Sequence, residues 1–238
     1  MKRIKESIAV AKPSGIGTRN EKSLQAALKH WYAQPGDQLE AQVDGFVVDI
    51  VRDDLLIEIQ TRNLAAIRRK LSALLERHSV RLVYPIAKEK WIVRKTGSGK
   101  QVIGRRKSPK VGCLDDLFVE LVSIPDLVRH DNFALQIVLI QEEEIRRADG
   151  RGSWRRRGQS LHDRKLLQVL ETVTFEGKQD FLRFLPDGLD QPFSNRHLAQ
   201  HIGCSIRAAR RMTYCLKKMG AIQEVGKNGN QLLFKIAV

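Results

Sequence analysis

Apolar residues in the first half of the chain recur with two different periods, which predict alternating helices and strands. Within residues 21–32, Leu24, Leu28 and Trp31 follow one another at steps of four and three residues, as on one face of a helix. A Pro-Gly pair comes shortly after Tyr32, and such pairs end helices. We therefore expect a helix over residues 21–32.

Runs rich in Val, Ile and Leu predict a hairpin after this helix. Residues 42–51 are expected to form a strand that is interrupted or bent at Gly45, and residues 55–60 a second strand. The same two periods predict the remaining elements: helices over 64–77 and 114–127, and strands over 80–86, 91–94 and 133–141. Together these elements predict an α/β domain in which helices flank one mixed sheet.

The C-terminal residues follow a different order of helix, turn, helix and β-hairpin. Ser194 is suited to a helix N-cap and Gly203 to a helix stop, so one helix is expected between them and another over 206–219. This order resembles the winged helix-turn-helix, which implies that the second helix enters the major groove and that the hairpin touches the DNA backbone. The basic residues expected to contact DNA are Arg207, Arg210, Arg211, Lys217 and Lys227.

A Gly-containing polar stretch around residue 150 predicts two domains, an α/β domain at residues 1–154 and a winged-helix domain at residues 155–238.

Charge is distributed unevenly along the chain. Residues 1–150 carry 26 basic and 20 acidic side chains, whereas residues 151–238 carry 16 and 7. Because the whole chain has a formal net charge of +15, a polyanion is the expected partner.

Two short runs concentrate this basic charge. Residues 88–110 contain nine Lys or Arg and a single acid, and residues 146–157 contain six Arg. Either run can be a solvated loop. Because basic residues outnumber acidic ones over the whole chain, we expect at least one of the two runs to contact phosphate.

Composition argues against several classes of protein. The three cysteines are far apart and form no CxxC pair, which disfavours a disulfide framework or a Cys-based zinc site and favours a reducing compartment. The apolar runs fall far short of the ~20 residues that a membrane span needs, and the N-terminal residues do not resemble a secretory signal. We expect a cytoplasmic protein without a membrane partner.

Two carboxylates interrupt the apolar strands of the predicted hairpin. Asp49 lies in the first strand, and Glu58 lies in the second, two residues before Gln60. Since successive strand residues alternate between faces, Glu58 and Gln60 point the same way. An ionised carboxylate in so apolar a strand is costly unless it is paired or binds a metal, and oxygen ligands suit Mg²⁺.

The order of these residues resembles the PD-(D/E)XK nuclease superfamily, most closely the archaeal-type Holliday-junction resolvases. A helix carries Glu21, a strand carries Asp49, and Glu58-Ile59-Gln60 precedes a basic helix. The resemblance covers residues 15–95 and implies a restriction-endonuclease-like sheet. It also implies a Mg²⁺- or Mn²⁺-dependent DNA endonuclease.

The same resemblance implies a role for each residue of the site. Asp49, Glu58 and the Ile59 carbonyl would hold the metal, and Glu21 would hold a second metal or its water. Gln60 stands where the superfamily motif has Lys, and it would orient the attacking water without a positive charge. A lysine on a neighbouring helix, Lys22 or Lys70, could supply that charge.

Two other interpretations of the acids remain open. Asp49 and Glu58 can be structural acids that pair with Arg52 or Arg62. Alternatively, the chain can be a catalytically inactive DNA-binding regulator built on a nuclease scaffold, which the Gln60 position favours. For an active enzyme, the resemblance implies that a homodimer cuts branched duplex DNA, such as a four-way junction, during DNA repair or recombination.

Overall fold

The computed structural model describes residues 23–237, which fold as an α/β structure. The α-helices are α1 (Ser23–Tyr32), α2 (Arg68–Leu75), α3 (Phe118–Leu121), α4 (Asn195–Ile202) and α5 (Ile206–Met219). The strands are β1 (Gln38–Val43), β2 (Phe46–Arg52), β3 (Leu55–Ile59), β4 (Ser79–Lys95), β5 (Val102–Lys107), β6 (Phe133–Arg147), β7 (Ser160–Phe175), β8 (Phe193–Ser194), β9 (Ile222–Asn228) and β10 (Gln231–Ile236). Short 3-10 helices cover Leu64–Ile67, Leu114–Leu117, Pro125–Arg129, Trp154–Arg156 and Lys178–Phe184.

Seven strands form a large mixed sheet in the order β1-β2-β3-β4-β6-β7, with β5 paired to β4. Strands β1, β2 and β3 are consecutive antiparallel neighbours, so this end of the sheet is a meander. A second, three-stranded antiparallel sheet has the order β8-β10-β9. The prediction of an α/β structure with a large mixed sheet flanked by helices is confirmed.

The chain divides into two compact units, and each is assembled from three segments. The first contains the described residues up to Thr61 together with Val83–Cys113 and Ile137–Val173. The second contains Arg62–Leu82, Leu114–Gln136 and the described residues from Thr174 onward. The predicted boundary near residue 155 falls between β6 and β7, within the first unit, so a division into domains 1–154 and 155–238 stays a prediction. Among the described residues, no helix combines the length and apolar character needed to cross a membrane.

Helix α1 forms because its apolar residues recur once per turn against the sheet. Leu24, Leu28 and Tyr32 are buried, and they belong to a cluster that includes Ile57 and Ile59 of β3. Trp31, which the sequence pattern placed on the same face, is 51% exposed. The four-residue step from Leu28 leads to Tyr32, which therefore takes the buried position.

The strand predicted over residues 42–51 is in fact two strands joined by a two-residue turn. Val43 pairs with Phe46, and the residues between them, Asp44 and Gly45, have φ angles of +48° and +82°. Two positive φ angles in a two-residue loop define a type I′ turn, for which Asp-Gly is a preferred sequence. The strand is therefore interrupted at Gly45, where the chain reverses, and not merely bent there.

Other elements also differ from their predictions. The strands expected over 80–86 and 91–94 are one continuous strand, β4, and the helix expected over 114–127 is broken into a short α-helix and 3-10 turns. Strand β7 was not predicted, because apolar residues do not alternate with polar ones along it: Leu167 and Leu170 are exposed, while Leu166 and Val169 pack on the core.

The two C-terminal helices have the predicted bounds, and the hairpin follows them in the predicted order. The Ser194 hydroxyl accepts a hydrogen bond from the His197 N–H at 3.2 Å, which caps α4. Ser205 caps α5 in the same way through the Ala208 N–H. Gly203 ends α4 in the left-handed conformation, with φ of +67°. Helices α4 and α5 are followed by the hairpin of β9 and β10.

Candidate active site and nucleic-acid interface

Asp49 and Glu58 lie where the ladder between β2 and β3 ends. The last residues in the register are Ile50 and Ile57, and Asp49 and Glu58 are the next residues on their strands. The Ile59 N–H donates a hydrogen bond to Asp49 Oδ2 at 2.8 Å, so the Asp49 carboxylate lies against the end of β3. The antiparallel hairpin therefore brings the two predicted acids to the same place in the sheet.

Both carboxylates are largely removed from solvent. The Asp49 side chain is 13% exposed and Glu58 is 6% exposed. Ile57 and Ile59 belong to the core cluster with α1, so alternation along β3 directs Glu58 and Gln60 to the opposite face. Gln60 is half-buried, and its N–H donates to the Val83 carbonyl of β4 at 3.0 Å, which fixes its position beside Glu58.

A lysine from the preceding helix contacts Asp49. Lys29 Nζ is 3.4 Å from Asp49 Oδ1 and 2.8 Å from Glu40 Oε1 of β1, and the Lys29 side chain is 10% exposed. The sequence suggested Lys22 or Lys70 for a charge at the site; the structure places Lys29 beside Asp49, and Lys22 lies outside the described residues. The signal that could have identified it is a lysine one residue after Leu28, on the buried face of α1.

Arg52 is not the partner of Asp49. Its guanidinium donates two hydrogen bonds to Asp37 at 2.9 Å and one to the Tyr32 carbonyl at 2.7 Å. These hydrogen bonds hold the pKa of the Asp37 carboxyl below its usual value. Arg52 thus ties the end of α1 to β2, and of the two arginines considered as structural partners for the acids it pairs with Asp37 instead.

The remaining predicted acid, Glu21, lies outside the described residues. Within the described residues, no group of three or more His, Cys, Asp or Glu side chains is arranged to hold a metal ion. Asp49 and Glu58 supply two carboxylates, and the Ile59 carbonyl is the next backbone oxygen on β3. This donor set is all oxygen, and it suits a hard cation such as Mg²⁺, which binds one or two carboxylates and keeps several waters.

A second group of buried charges, which sequence reasoning missed, lies on β4, β6 and β7. Glu142 has no exposed surface; it accepts a hydrogen bond from Arg164 at 2.8 Å and lies 3.4 Å from Lys90 Nζ. Glu144 pairs with Lys90 at 2.8 Å and with Arg146. Burial alone raises the pKa of Glu144, but the hydrogen bonds and charges of Lys90 and Arg146 outweigh it and leave that pKa lowered.

This group is compensated by its own cations, which favours a structural role. The sequence signal that could have identified Glu142 and Glu144 is a run of three glutamates directly after the apolar stretch of β6.

Much of the basic run at residues 88–110 is also neutralised within the chain. Arg105 pairs with Glu143 at 2.7 Å, and Lys107 pairs with Glu89 at 2.8 Å. Both cations also lie over the Trp91 ring, at 5.2 and 5.4 Å from its centroid. The hairpin of β4 and β5 therefore uses several of its cations for its own structure, which lowers the charge it can offer to a polyanion.

The basic residues proposed for DNA contact lie mostly at the surface of the second unit. Arg207, Arg210 and Lys217 are exposed along α5, Arg211 is half-buried, and Lys227 is exposed on β9. The buried side of the helix holds Met212 and Leu216, so packing fixes which side carries the cations. Lys217 pairs with Glu224 at 2.9 Å, whereas neither Arg207 nor Arg210 forms an ion pair with any described residue.

Comparison with known proteins connects the chain to one family and one relative. Residues 22–176 match the model of a family described as a domain of unknown function, DUF8091. A protein of Treponema pallidum (strain Nichols), described as an uncharacterized protein, is 32% identical over 224 residues, covering 92% of this chain and 87% of the relative. No solved structure matches the chain.

Proposed function

The chain belongs to the DUF8091 family, and we propose that it is a metal-dependent endonuclease that hydrolyses DNA phosphodiester bonds, with branched duplex as its preferred substrate. The observation that carries the proposal is the meeting of Asp49 and Glu58 at the end of the β2–β3 ladder, in a chain of net charge +15. Cytoplasmic location and a homodimeric state accompany this proposal as predictions.

The order of elements around the acids supports the proposal. Helix α1, the meander β1-β2-β3, helix α2 and strand β4 follow one another along the chain, and β1 to β4 are also neighbours in that order in the sheet. A helix, a hairpin with Asp and Glu, a helix and a further strand are the order that the resemblance to PD-(D/E)XK nucleases implies. Helices α4 and α5 with the β9–β10 hairpin have the order of a winged helix-turn-helix.

The residues at the site fit a divalent cation. Asp49, Glu58 and the Ile59 carbonyl would hold Mg²⁺ or Mn²⁺, and a bound metal lowers the pKa of its water and stabilises negative charge on the phosphate. The chain itself would contribute two further effects. The Gln60 amide would orient the attacking water, and the Lys29 ammonium, 3.4 Å from Asp49, would compensate the negative charge of that carboxylate in its buried position.

A second candidate function is a DNA-binding regulator that uses the same scaffold without catalysis. Two observations favour it: Gln60 replaces the motif's lysine, and the Lys29 ammonium already compensates the charge of Asp49 without a metal. In this reading the acids are structural, and the surface of α5 carries the function.

A cleavage assay tests the first candidate directly. Four-way junction, fork, flap and linear duplex are incubated with the full chain and Mg²⁺ or Mn²⁺ at fixed salt. We expect cutting of branched DNA, and a loss of at least about 100-fold in rate for Asp49→Asn and Glu58→Gln, since each removes a charged metal ligand. The control is Asp54→Ala, which removes an exposed carboxylate from the β2–β3 turn and should cut normally.

Equal cutting by both variants and the parent chain would contradict the assignment of the site. Linear duplex cut as well as the junction would contradict the preference for branched DNA. The inactive-scaffold candidate predicts no cutting and no metal-dependent change in melting temperature. For a metal at about 100 times its dissociation constant, the expected stabilisation of a binding-competent site is about 2.7 kcal/mol.

A further inference from the structure

An open cleft in the second unit combines an exposed aromatic ring with cations and amides. Its volume is about 500 Å³, and it lies between the N-terminal end of α4, the exposed side of α5 and strand β10. Residues that line it and bear on its chemistry are Arg196, Arg210, Tyr214, Lys217, Asn230 and Gln231. None of them belongs to the Asp49 and Glu58 site.

Tyr214 provides a flat apolar surface in this cleft. Its side chain is 44% exposed, and Ile206, two turns earlier on α5, is 46% exposed. The neighbouring residues Thr213 and Cys215 are buried, so the packing of α5 holds Tyr214 on the open side. A half-exposed aromatic ring with a fixed backbone offers a stacking surface for another planar group.

The charge of the cleft selects an anionic ligand. Three of the lining residues are cations, and no lining residue is a carboxylate. Lys217 is engaged with Glu224 at 2.9 Å, but in the described part of the chain neither Arg196 nor Arg210 has an ion-pair partner. Two arginines that line the same cleft as an aromatic ring are suited to bind phosphate by charge-assisted hydrogen bonds.

Amide side chains complete the chemistry of the cleft. Asn230 lies at the tip of the β9–β10 hairpin, and Gln231 is the first residue of β10. Each brings one donor and one acceptor group to the hairpin side of the cleft. On the opposite side, Asn195 accepts a hydrogen bond from the Thr213 hydroxyl at 2.6 Å, which links α4 to α5. A planar surface, phosphate-binding cations and amides are the groups that recognise a nucleotide.

We propose that this cleft holds one unpaired nucleotide of a DNA strand. Its base stacks on Tyr214, its edge faces Asn230 and Gln231, and the flanking phosphates bind Arg196 and Arg210. The base must be unpaired because both faces of a base in a duplex are already covered by its neighbours. The choice of DNA as the strand rests on the proposed function; branched and flapped DNA supplies unpaired nucleotides at its junctions.

The test uses the full chain in the presence of EDTA, which prevents cleavage. A single-stranded DNA oligonucleotide carries one 5-iodouracil, which crosslinks under ultraviolet light to an aromatic ring stacked on it, and the crosslinked peptide is mapped by mass spectrometry. We expect the crosslink at Tyr214. We also expect Tyr214→Ala to weaken binding by about tenfold and Tyr214→Phe to bind almost as the parent chain, because Phe keeps the stacking ring.

Arg210→Gln should weaken binding and make the salt dependence shallower by about 0.7 in log–log slope, the value for one phosphate contact on a single strand. The matched control is Lys218→Gln, which removes an exposed cation of α5 outside the cleft lining. Circular dichroism confirms that each variant is folded. Equal losses for Arg210→Gln and Lys218→Gln would overturn the assignment of the cleft.

The outcomes separate this proposal from the proposed function. A crosslink elsewhere, together with unchanged binding by Tyr214→Ala, overturns the nucleotide site even if the chain cuts DNA. A crosslink at Tyr214 in a chain that cuts no DNA supports the nucleotide site and contradicts the nuclease. Tighter binding of an RNA strand, or equal binding of a free deoxynucleoside monophosphate, would overturn the assignment to a DNA strand.

Discussion

At the scale of single residues, the candidate site is defined by how buried charges are compensated. Lys29 lies between Asp49 and Glu40, and the three side chains come from α1, β2 and β1. A buried charge without a partner strongly destabilises the fold, whereas a compensated pair of charges changes the folding stability little. Lys29 is therefore expected to matter for stability whether or not a metal binds.

We expect Lys29→Met to lower the free energy of unfolding by about 2 to 4 kcal/mol, because it leaves the Asp49 carboxylate buried without its cation. The measurement is urea unfolding, in which the midpoint falls and the slope m stays constant. Adding Asp49→Asn to this variant should recover part of the loss. The control Lys218→Met removes an exposed lysine, and a Lys29→Met loss no larger than that of the control would contradict the role of Lys29.

At the scale of elements, the turn between β1 and β2 sets the position of Asp49. The two-residue loop of Asp44 and Gly45 fixes the antiparallel register, in which Ala41 is paired with Val48. A slip of one residue would exchange the two faces of β2 and move Asp49 away from Glu58. The turn thus contributes to the site although it lies outside it.

Gly45→Ala is expected to destabilise the protein by about 1 to 2 kcal/mol, since an L side chain at φ of +82° is in the left-handed region. No heavy atom lies within 4 Å of the Cβ that this substitution adds, so the loss reflects the backbone conformation alone. The control is Gly104→Ala in β5, where the nearest atom is the mobile end of the Arg94 side chain at 3.3 Å. Thermal unfolding of both variants checks the expectation, and equal losses would contradict it.

At the scale of the whole molecule, the distribution of free charge predicts which surface binds DNA without metal. Several cations of the 88–110 run pair with acids of the same chain, whereas Arg207 and Arg210 of α5 have no ion-pair partner among the described residues. We therefore expect α5 and the β9–β10 hairpin to supply most of the metal-free affinity.

The full chain and a triple variant, Arg207→Gln with Arg210→Gln and Lys227→Gln, are compared for duplex DNA binding between about 50 and 200 mM salt. Each lost phosphate contact reduces the log–log slope by about 0.9, so the triple variant should be shallower by up to about 2.7. The control removes three cations of the other run: Lys100→Gln, Arg106→Gln and Lys110→Gln. If both variants flatten the slope equally, the division of affinity is wrong. These substitutions leave the large sheet intact, whereas removing the predicted second domain, residues 155–238, would delete β7 from it.

The sequence by itself determined the local elements with strong signals. The four-residue steps of α1 and the Ser and Gly caps of α4 are local, because a helix is stabilised by residues a few positions apart. The neighbouring positions of Asp49 and Glu58 also followed from the sequence, since two strands joined by a short turn must pair. The resemblance to a nuclease superfamily and the winged-helix reading add to this and stay predictions.

Tertiary structure alone decided which side chains compensate the buried charges and which strands complete the sheet. Lys29 contacts Asp49 across 20 positions of the chain, and Arg164 contacts Glu142 across 22, because packing of separate elements creates these pairs. Strand β7 joins the sheet although its own alternation is weak, since pairing with β6 completes its hydrogen bonds. The cleft around Tyr214 likewise arises where two helices and a strand meet, and no single segment contains its chemistry.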